Sequence, residues 1–185
     1  SPDGAKLVFV RLHHSMPDGN AIVVYDTDRD DEELFDDFAI LGMHLGLFDP
    51  CWSPEGDEIA FYGSGGDDSG IYTISYPRGV PWGFVKANGS QPDWASEVHG
   101  QDRGKIVYRL NGIRVMHGNG TNDRLVVDSG ENPNWSVKFN EIVFQKIDES
   151  GTVSYTNQIY KVQENGTLLF QLTSDPGMEH KYPHW

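Results

Sequence analysis

Asp49-Pro50-Cys51-Trp52-Ser53-Pro54-Glu55-Gly56, followed by the apolar run Ile59-Ala60-Phe61-Tyr62, decides how this chain is read. It holds a proline two residues before a tryptophan, then a turn, then a strand with an unbroken apolar run. The same pairing returns as Pro92 before Trp94, Pro133 before Trp135 and Pro183 before Trp185. Ser1-Pro2-Asp3-Gly4 is the second half of the unit without its tryptophan. The tryptophans lie 42, 41 and 50 residues apart. A period of about 40–50 residues is that of propeller blades, each a four-stranded sheet.

Each unit repeats the same apolar clusters. The first strand ends in Pro-x-Trp. The second begins at Lys6-Leu7-Val8-Phe9, Glu58-Ile59-Ala60-Phe61, Lys105-Ile106-Val107-Tyr108 and Glu141-Ile142-Val143-Phe144. It is apolar on successive residues, as when both faces are covered. The third strand, at Ala21–Tyr25, Gly70–Ile74, Gly112–Met116 and Gln158–Val162, is read as more alternating and further out. The fourth is expected within 38–41, 83–86, 124–127 and 168–172. Ser-Pro-Asp-Gly and Ser-Pro-Glu-Gly suit a type I turn with glycine at the exit. Asn111-Gly112 suits a two-residue hairpin. One tryptophan per unit, each burying about 150–250 Å², is read as packing between blades.

The totals agree with a turn-rich all-β chain: 185 residues with 21 Gly and 10 Pro. No apolar run reaches the roughly 18 residues of a membrane helix, so no membrane insertion is expected. The formal net charge of -14 opposes nucleic-acid backbones and anionic membranes, and suits cations or a basic protein surface. Cys51, the one cysteine, is read as a packed strand thiol. The chain starts inside a repeat unit without an initiator methionine and reads as part of something longer.

On these residues the units resemble the WD40-like (PD40) repeats of the TolB family. That pattern is Pro-x-Trp-Ser-Pro-Asp-Gly, an Ile-Ala-Phe-type strand and an Ile-Tyr-x-hydrophobic strand. Trp52–Gly56, Ile59–Phe61 and Ile71-Tyr72 match it closely, and Ser1–Gly4, Ile159-Tyr160 and Leu172-Thr173 match parts of it. Trp94-Ala95-Ser96-Glu97 and Trp135-Ser136-Val137-Lys138 lack the Pro-Asp-Gly turn. The resemblance implies one all-β propeller domain over 1–185, with blades near 1–52, 53–94, 95–135 and 136–185. It is either a closed four-bladed ring or a fragment of a larger propeller. It also implies a non-catalytic, periplasmic or extracellular scaffold for protein–protein interaction. The alternative it carries is the propeller domain of an exported oligopeptidase-like hydrolase or a metal-dependent polysaccharide lyase.

Candidate functional residues are those that break the repeat. Trp82 and Arg78 fall in the Pro/Gly-rich stretch Tyr76–Trp82, and Glu97, His99 and Asp102 in the loop Ala95–Arg103, which makes the spacing from Trp94 to Ile106 five residues longer than in the second and fourth units. These five are read as protein-binding. The run Asp26–Asp37 has eight acidic residues and is read as a loop between the third and fourth strands. Asp26, Asp28 and Asp30 alternate as Ca²⁺ ligands do, but Asp31 stands where an EF-hand needs Gly and Asp37 where it needs Glu. No other cofactor is expected. The seven histidines are dispersed, with His44, His180 and His184 near innermost strands. Asn88-Gly89-Ser90, Asn119-Gly120-Thr121 and Asn165-Gly166-Thr167 match the glycosylation sequon but coincide with turn chemistry.

Overall fold

The computed structural model describes residues 1–12, 20–36, 46–77, 83–95, 104–136, 139–147, 156–175 and 177–184. They form four antiparallel sheets taken in chain order. The first holds β1 (Lys6–Leu12), β2 (Asn20–Asp26) and β3 (Asp31–Asp36). The second holds β4 (Gly46–Trp52), β5 (Glu58–Ser64), β6 (Gly70–Ser75) and β7 (Gly83–Ala87). The third holds β8 (Ser90–Trp94), β9 (Lys105–Arg109), β10 (Ile113–His117) and β11 (Arg124–Val127). The fourth holds β12 (Glu131–Trp135), β13 (Glu141–Ile147), β14 (Asn157–Gln163) and β15 (Phe170–Gln171). Each sheet is one blade, and each blade packs on the next.

Three equivalent joints hold the blades together. Ile59 and Phe61 pack against Ile22, Val24 and Phe35 of the first blade. Ile106 and Tyr108 pack against Ala60 and Ile71 of the second. Ile142 and Phe144 pack against Val107, Ile113, Val115 and Val127 of the third. The second strand's first aliphatic and its aromatic therefore face the preceding blade. Each such residue removes on the order of 2–3 kcal/mol worth of apolar surface from water. Trp94 and Trp135 are buried and Trp52 is half-buried, all within these clusters, which bears out their reading as packing residues. Trp185 lies outside the described residues.

The innermost strands share one backbone irregularity. Asp49, Gln91, Asn132 and Tyr182, each three residues before a repeat tryptophan, all have φ near +50° (50, 53, 49 and 54). Each precedes the repeat's proline. The proline has no N–H to give the ladder and bars its neighbour from the right-handed helical region. The register accordingly shifts between Phe48 and Cys51, Ser90 and Asp93, and Glu131 and Asn134. A bulge on an edge strand absorbs the missing donor.

The Ser-Pro turns form as read. Gly4 N–H donates to Ser1 O and Gly56 N–H to Ser53 O, each at 3.0 Å, with both glycines at positive φ. Three readings change. The fourth strand of the first unit is Asp31–Asp36, inside the acidic run, while 38–41 lie outside the described residues. Phe35, fully buried, anchors that strand, and charged residues occupy its exposed edge. The third strand does not alternate in β2 or β6, which are buried almost throughout; β6 lies between two blades, which cover both its faces. At Asn111-Gly112, Arg109 pairs with Ile113, so the hairpin has three loop residues rather than two.

Candidate protein-binding face

In a four-stranded antiparallel meander, the connection from first to second strand and that from third to fourth lie at the same end. The acidic turn between β2 and β3 and the described flanks of the other repeat-breaking stretches lie at this end. In the second blade, the two connections bound a cleft of about 390 Å³ lined by Ser53, Pro54, Glu55, Asp57, Glu58, Ser75 and Tyr76. In the fourth, Phe139, Asn140, Gln163, Glu164 and Asn165 line a smaller one of about 250 Å³. The Ser53 hydroxyl organises the first cleft. It donates to Asp57 Oδ1 at 3.0 Å and accepts from the Asp57 and Glu58 main-chain N–H groups at 3.2 and 2.9 Å. Tyr76 closes its back, edge-on to Trp52 at 5.2 Å between ring centroids.

The turn between β2 and β3 belongs to the same end. Asp26 lies on it and is tied down: Oδ1 accepts from Asp28 N–H (3.0 Å) and Arg29 N–H (3.1 Å), and Oδ2 pairs with Lys6 at 3.3 Å. Asp30 accepts from the Tyr25 hydroxyl at 2.5 Å. Asp28, Asp30, Asp31 and Glu32 are exposed, and with exposed Glu55 and Asp57 they make this end strongly acidic. The structure brings Asp26, Asp28 and Asp30 into one turn. Among the described residues, no three His, Cys, Asp or Glu side chains gather in a way that would hold a metal ion. Arg78, Trp82, Glu97, His99 and Asp102 lie outside the described residues, as does His44. Their described flanks, Tyr76 with Gly83 and Ala95 with Gly104, stand at this end.

The turns between third and fourth strands also reach back to the preceding blade. A Cβ on Gly120 would lie 2.8 Å from Val85 O, and one on Gly166 3.0 Å from Val126 O. Their neighbours repeat one pattern: the Asn119 and Asn165 Oδ1 atoms each accept from the N–H and hydroxyl of Thr121 and Thr167. These Asn-Gly-Thr triplets thus form Asx turns. Ion pairs cross the same seams. Asp123 on the third blade meets Lys86 on the second at 2.5 Å as well as Arg114 (2.9 Å) and the Tyr108 hydroxyl (2.6 Å) on its own. Burial works to raise the Asp123 pKa, and Arg114, Lys86 and Tyr108 overcome it and bring it down to about 2. Glu164 on the fourth blade meets Lys105 at 2.7 Å and Arg124 at 2.6 Å on the third.

A second polar set lies on the innermost strands, on either side of the proline of Pro-x-Trp. Asp93 Oδ2 accepts from Asn134 Nδ2 at 3.1 Å and Trp135 N–H at 2.6 Å. Gln91 Nε2 donates to Asn132 Oδ1 at 2.7 Å, and its Oε1 accepts the Asn132 N–H at 2.9 Å. These side chains join β8 to β12, which belong to different sheets. Burial raises the Asp93 carboxyl to about 6, against the pull of Trp135 N–H and of nearby His184. Burial also pushes the Cys51 thiol well up, with the Asp93 charge adding to it, consistent with a packed thiol rather than a nucleophile. Sequence reasoning passed over Asp93, Asn134, Gln91 and Asn132. The available signal was their position: each stands beside the repeat's proline, where a propeller places its innermost edge.

No family model and no curated protein sequence matches the chain. Among solved structures it is similar to TolB from Acinetobacter baumannii, with a TM-score of 0.74 and 17% identity over 100% of this chain and 44% of that one. It is similar to a putative TolB from Agrobacterium tumefaciens, at 0.71 and 17%, over 94% and 62%. It also matches an oligogalacturonate lyase in complex with manganese, at 0.62 and 12%, over 97% and 65%. The chain spans about half the length of the TolB structures it matches. The order of the sheets, the three equivalent joints and these likenesses together make the chain a run of four blades of a TolB-like β-propeller.

Proposed function

We propose that the chain is a non-catalytic protein-binding module of the periplasm or cell exterior, and that its partner presents a basic surface. The observation that carries this reading is the concentration of exposed carboxylates at one end of the blades. Asp28, Asp30, Asp31, Glu32, Glu55 and Asp57 come from two blades and are brought to one end by the strand order. A formal charge of -14 extends the field beyond that end and favours fast encounter with a cationic partner. The stretches carrying Arg78 and Trp82, and Glu97, His99 and Asp102, are assigned to the same surface. A tryptophan and an arginine are the side chains most often found at the energetic centre of such contacts. The likeness to TolB structures supports the module reading at the level of fold, where one propeller carries many activities.

The test is capture from cell-envelope extract on the immobilised chain, followed by measured affinity for the purified partner. Asp28→Lys with Glu55→Lys, both exposed, is expected to weaken binding at least tenfold and flatten its salt dependence. Trp82→Ala is expected to weaken it at constant salt dependence. Affinity unchanged in both variants would overturn the assignment of this face. Turnover of a peptide or polysaccharide by the chain would overturn the non-catalytic reading.

A further inference from the structure

The second and fourth blades repeat one cleft with different chemistry. Tyr76 N–H donates to Asp57 O at 2.7 Å and Glu164 N–H to Asn140 O at 3.1 Å. Tyr76 and Glu164 therefore hold the same place in their blades, as do Asp57 and Asn140, and each pair lines its blade's cleft. In the fourth blade the chain answers this place with its own guanidinium. Arg124 of the preceding blade donates from Nη1 to Glu164 O and from Nη2 to Glu164 Oε1, each at 2.6 Å. Lys105 of the same blade adds a bond to Oε1 at 2.7 Å. A planar fork that reaches a carbonyl and a carboxylate together is what arginine supplies and lysine does not.

The second blade has the cleft without that guanidinium. Register leads from Val8 through Val24 to Glu33 in the first blade, and from Val107 through Val115 to Arg124 in the third. Glu33 thus stands at the position of Arg124, a carboxylate in place of a cation. Lys6 stands at the position of Lys105 and turns to Asp26 of its own blade at 3.3 Å. At the position of Glu164 is Tyr76, whose ring packs on Trp52 and Phe35. The cleft is also the roomier one, about 390 Å³ against about 250 Å³. Glu33 is half-buried, and Glu55 and Asp57 are exposed. Among the described residues neither Glu33 nor Glu55 forms an ion pair, and Asp57 accepts from the Ser53 hydroxyl rather than from a cation. The first blade's charges reach the cleft wall: burial and then Glu33 and Asp26 push the Tyr76 hydroxyl up, against Lys6 and Arg29.

We infer that the basic partner inserts an arginine side chain into the second-blade cleft, drawn by Glu33, Glu55 and Asp57 and seated beside the Tyr76 ring. The partner then supplies at this joint the guanidinium that Arg124 supplies two blades on, and an aromatic ring beside it adds a cation–π contribution. The inference rests on the reading of a basic partner and names the group that partner presents. Titration of the ¹⁵N-labelled chain with N-acetylarginine amide tests it, with the uncharged isostere N-acetylcitrulline amide alongside. The arginine compound is expected to shift the Asp57, Glu58 and Tyr76 amides saturably, and the citrulline compound to leave them unmoved. Glu55→Gln with Asp57→Asn, both exposed, should weaken the arginine compound about tenfold. Glu33→Arg restores a guanidinium of the chain's own and should abolish its binding; circular dichroism checks that both variants fold. No saturable shift, an equal response to the citrulline compound, or unchanged affinity in the Glu55→Gln and Asp57→Asn variant would each overturn the inference. A captured partner that binds Glu33→Arg as well as wild type would also overturn it while leaving the basic-partner reading intact. Failure to capture any partner counts against that reading alone, since the titration decides the cleft without one.

Discussion

Asp93 on β8 holds Asn134 on β12 at 3.1 Å, across a seam that no main-chain ladder spans. The carboxylate also takes the Trp135 N–H, so it fixes the innermost strand of the next blade at two points. Burial raises its pKa to about 6, so ionisation is harder in the folded chain than in the unfolded one. The contribution is therefore fully favourable below the unfolded value of 3.8 and is lost as pH rises through about 6. A shift of about 2 units corresponds to at most about 3 kcal/mol. Asp93→Asn keeps an acceptor for both donors and cannot ionise. It is expected to stabilise the chain at pH 7.5 by about 1–3 kcal/mol in urea unfolding, and to have little effect at pH 4. Equal effects at both pH values would show that Asp93 is not ionised at the seam.

Asp123 behaves in the opposite sense. Its carboxyl is brought down to about 2 despite partial burial, because Arg114, Lys86 and Tyr108 all prefer it charged. Its stabilisation is present above the unfolded value of 3.8 and is lost as pH falls toward 2. The nominal gain of about 2.5 kcal/mol is reduced by solvent around the cluster to about 1–1.5 kcal/mol. Asp123→Asn should cost about that much at pH 7 and much less at pH 2.5. The two carboxylates thus bend the pH–stability profile in opposite directions, and the double variant should flatten it most.

Gly120 and Gly4 share a positive φ, +83° and +75°, but not a neighbourhood. A Cβ on Gly4 meets nothing within 4 Å, whereas one on Gly120 comes within 2.8 Å of Val85 O on the preceding blade. Gly4→Ala should therefore cost only the left-handed backbone strain, about 1 kcal/mol. Gly120→Ala adds a backbone collision across the seam and should cost about 2–4 kcal/mol, read as a lower melting temperature. Equal costs would mean that the turn does not press on the second blade.

The fold was legible because its units repeat. Pro-x-Trp and the following Ile-Ala-Phe-type strand recur with the periodicity that packing requires, so Trp94, Trp135, Phe61 and Phe144 were assigned to the core from spacing alone. The face they turn toward a neighbour was not legible, since a strand buried on both faces has no alternation to read. The bonds that join the innermost strands were not legible either. Cys51, Asp93 and Asn134 occupy one repeat position with three different side chains, and their roles depend on what stands across the seam. The acidic run misled for a related reason. Its charge suggested a loop, while Phe35 alone carried the apolar anchor that makes Asp31–Asp36 a strand.

That strand decides what calcium should do. Ca²⁺ gathers six to eight oxygens at about 2.3–2.6 Å, which a loop achieves by curling around the ion. Asp26 already spends its carboxylate on Asp28 N–H, Arg29 N–H and Lys6, and Asp30 is engaged by Tyr25. From Asp31 onward the backbone is extended and paired with β2, which carries successive carboxylates apart at about 3.4 Å per residue and to alternate faces. Millimolar Ca²⁺ is therefore expected to leave the melting temperature within about 1 °C, because a ligand bound only by the folded state would raise it. Lys6→Ala, which frees Asp26 Oδ2 from its cation, should not create a site, since the strand still leads the later carboxylates away. A calcium-dependent rise in melting temperature that is abolished by Asp26→Ala would instead show that the turn opens to wrap an ion.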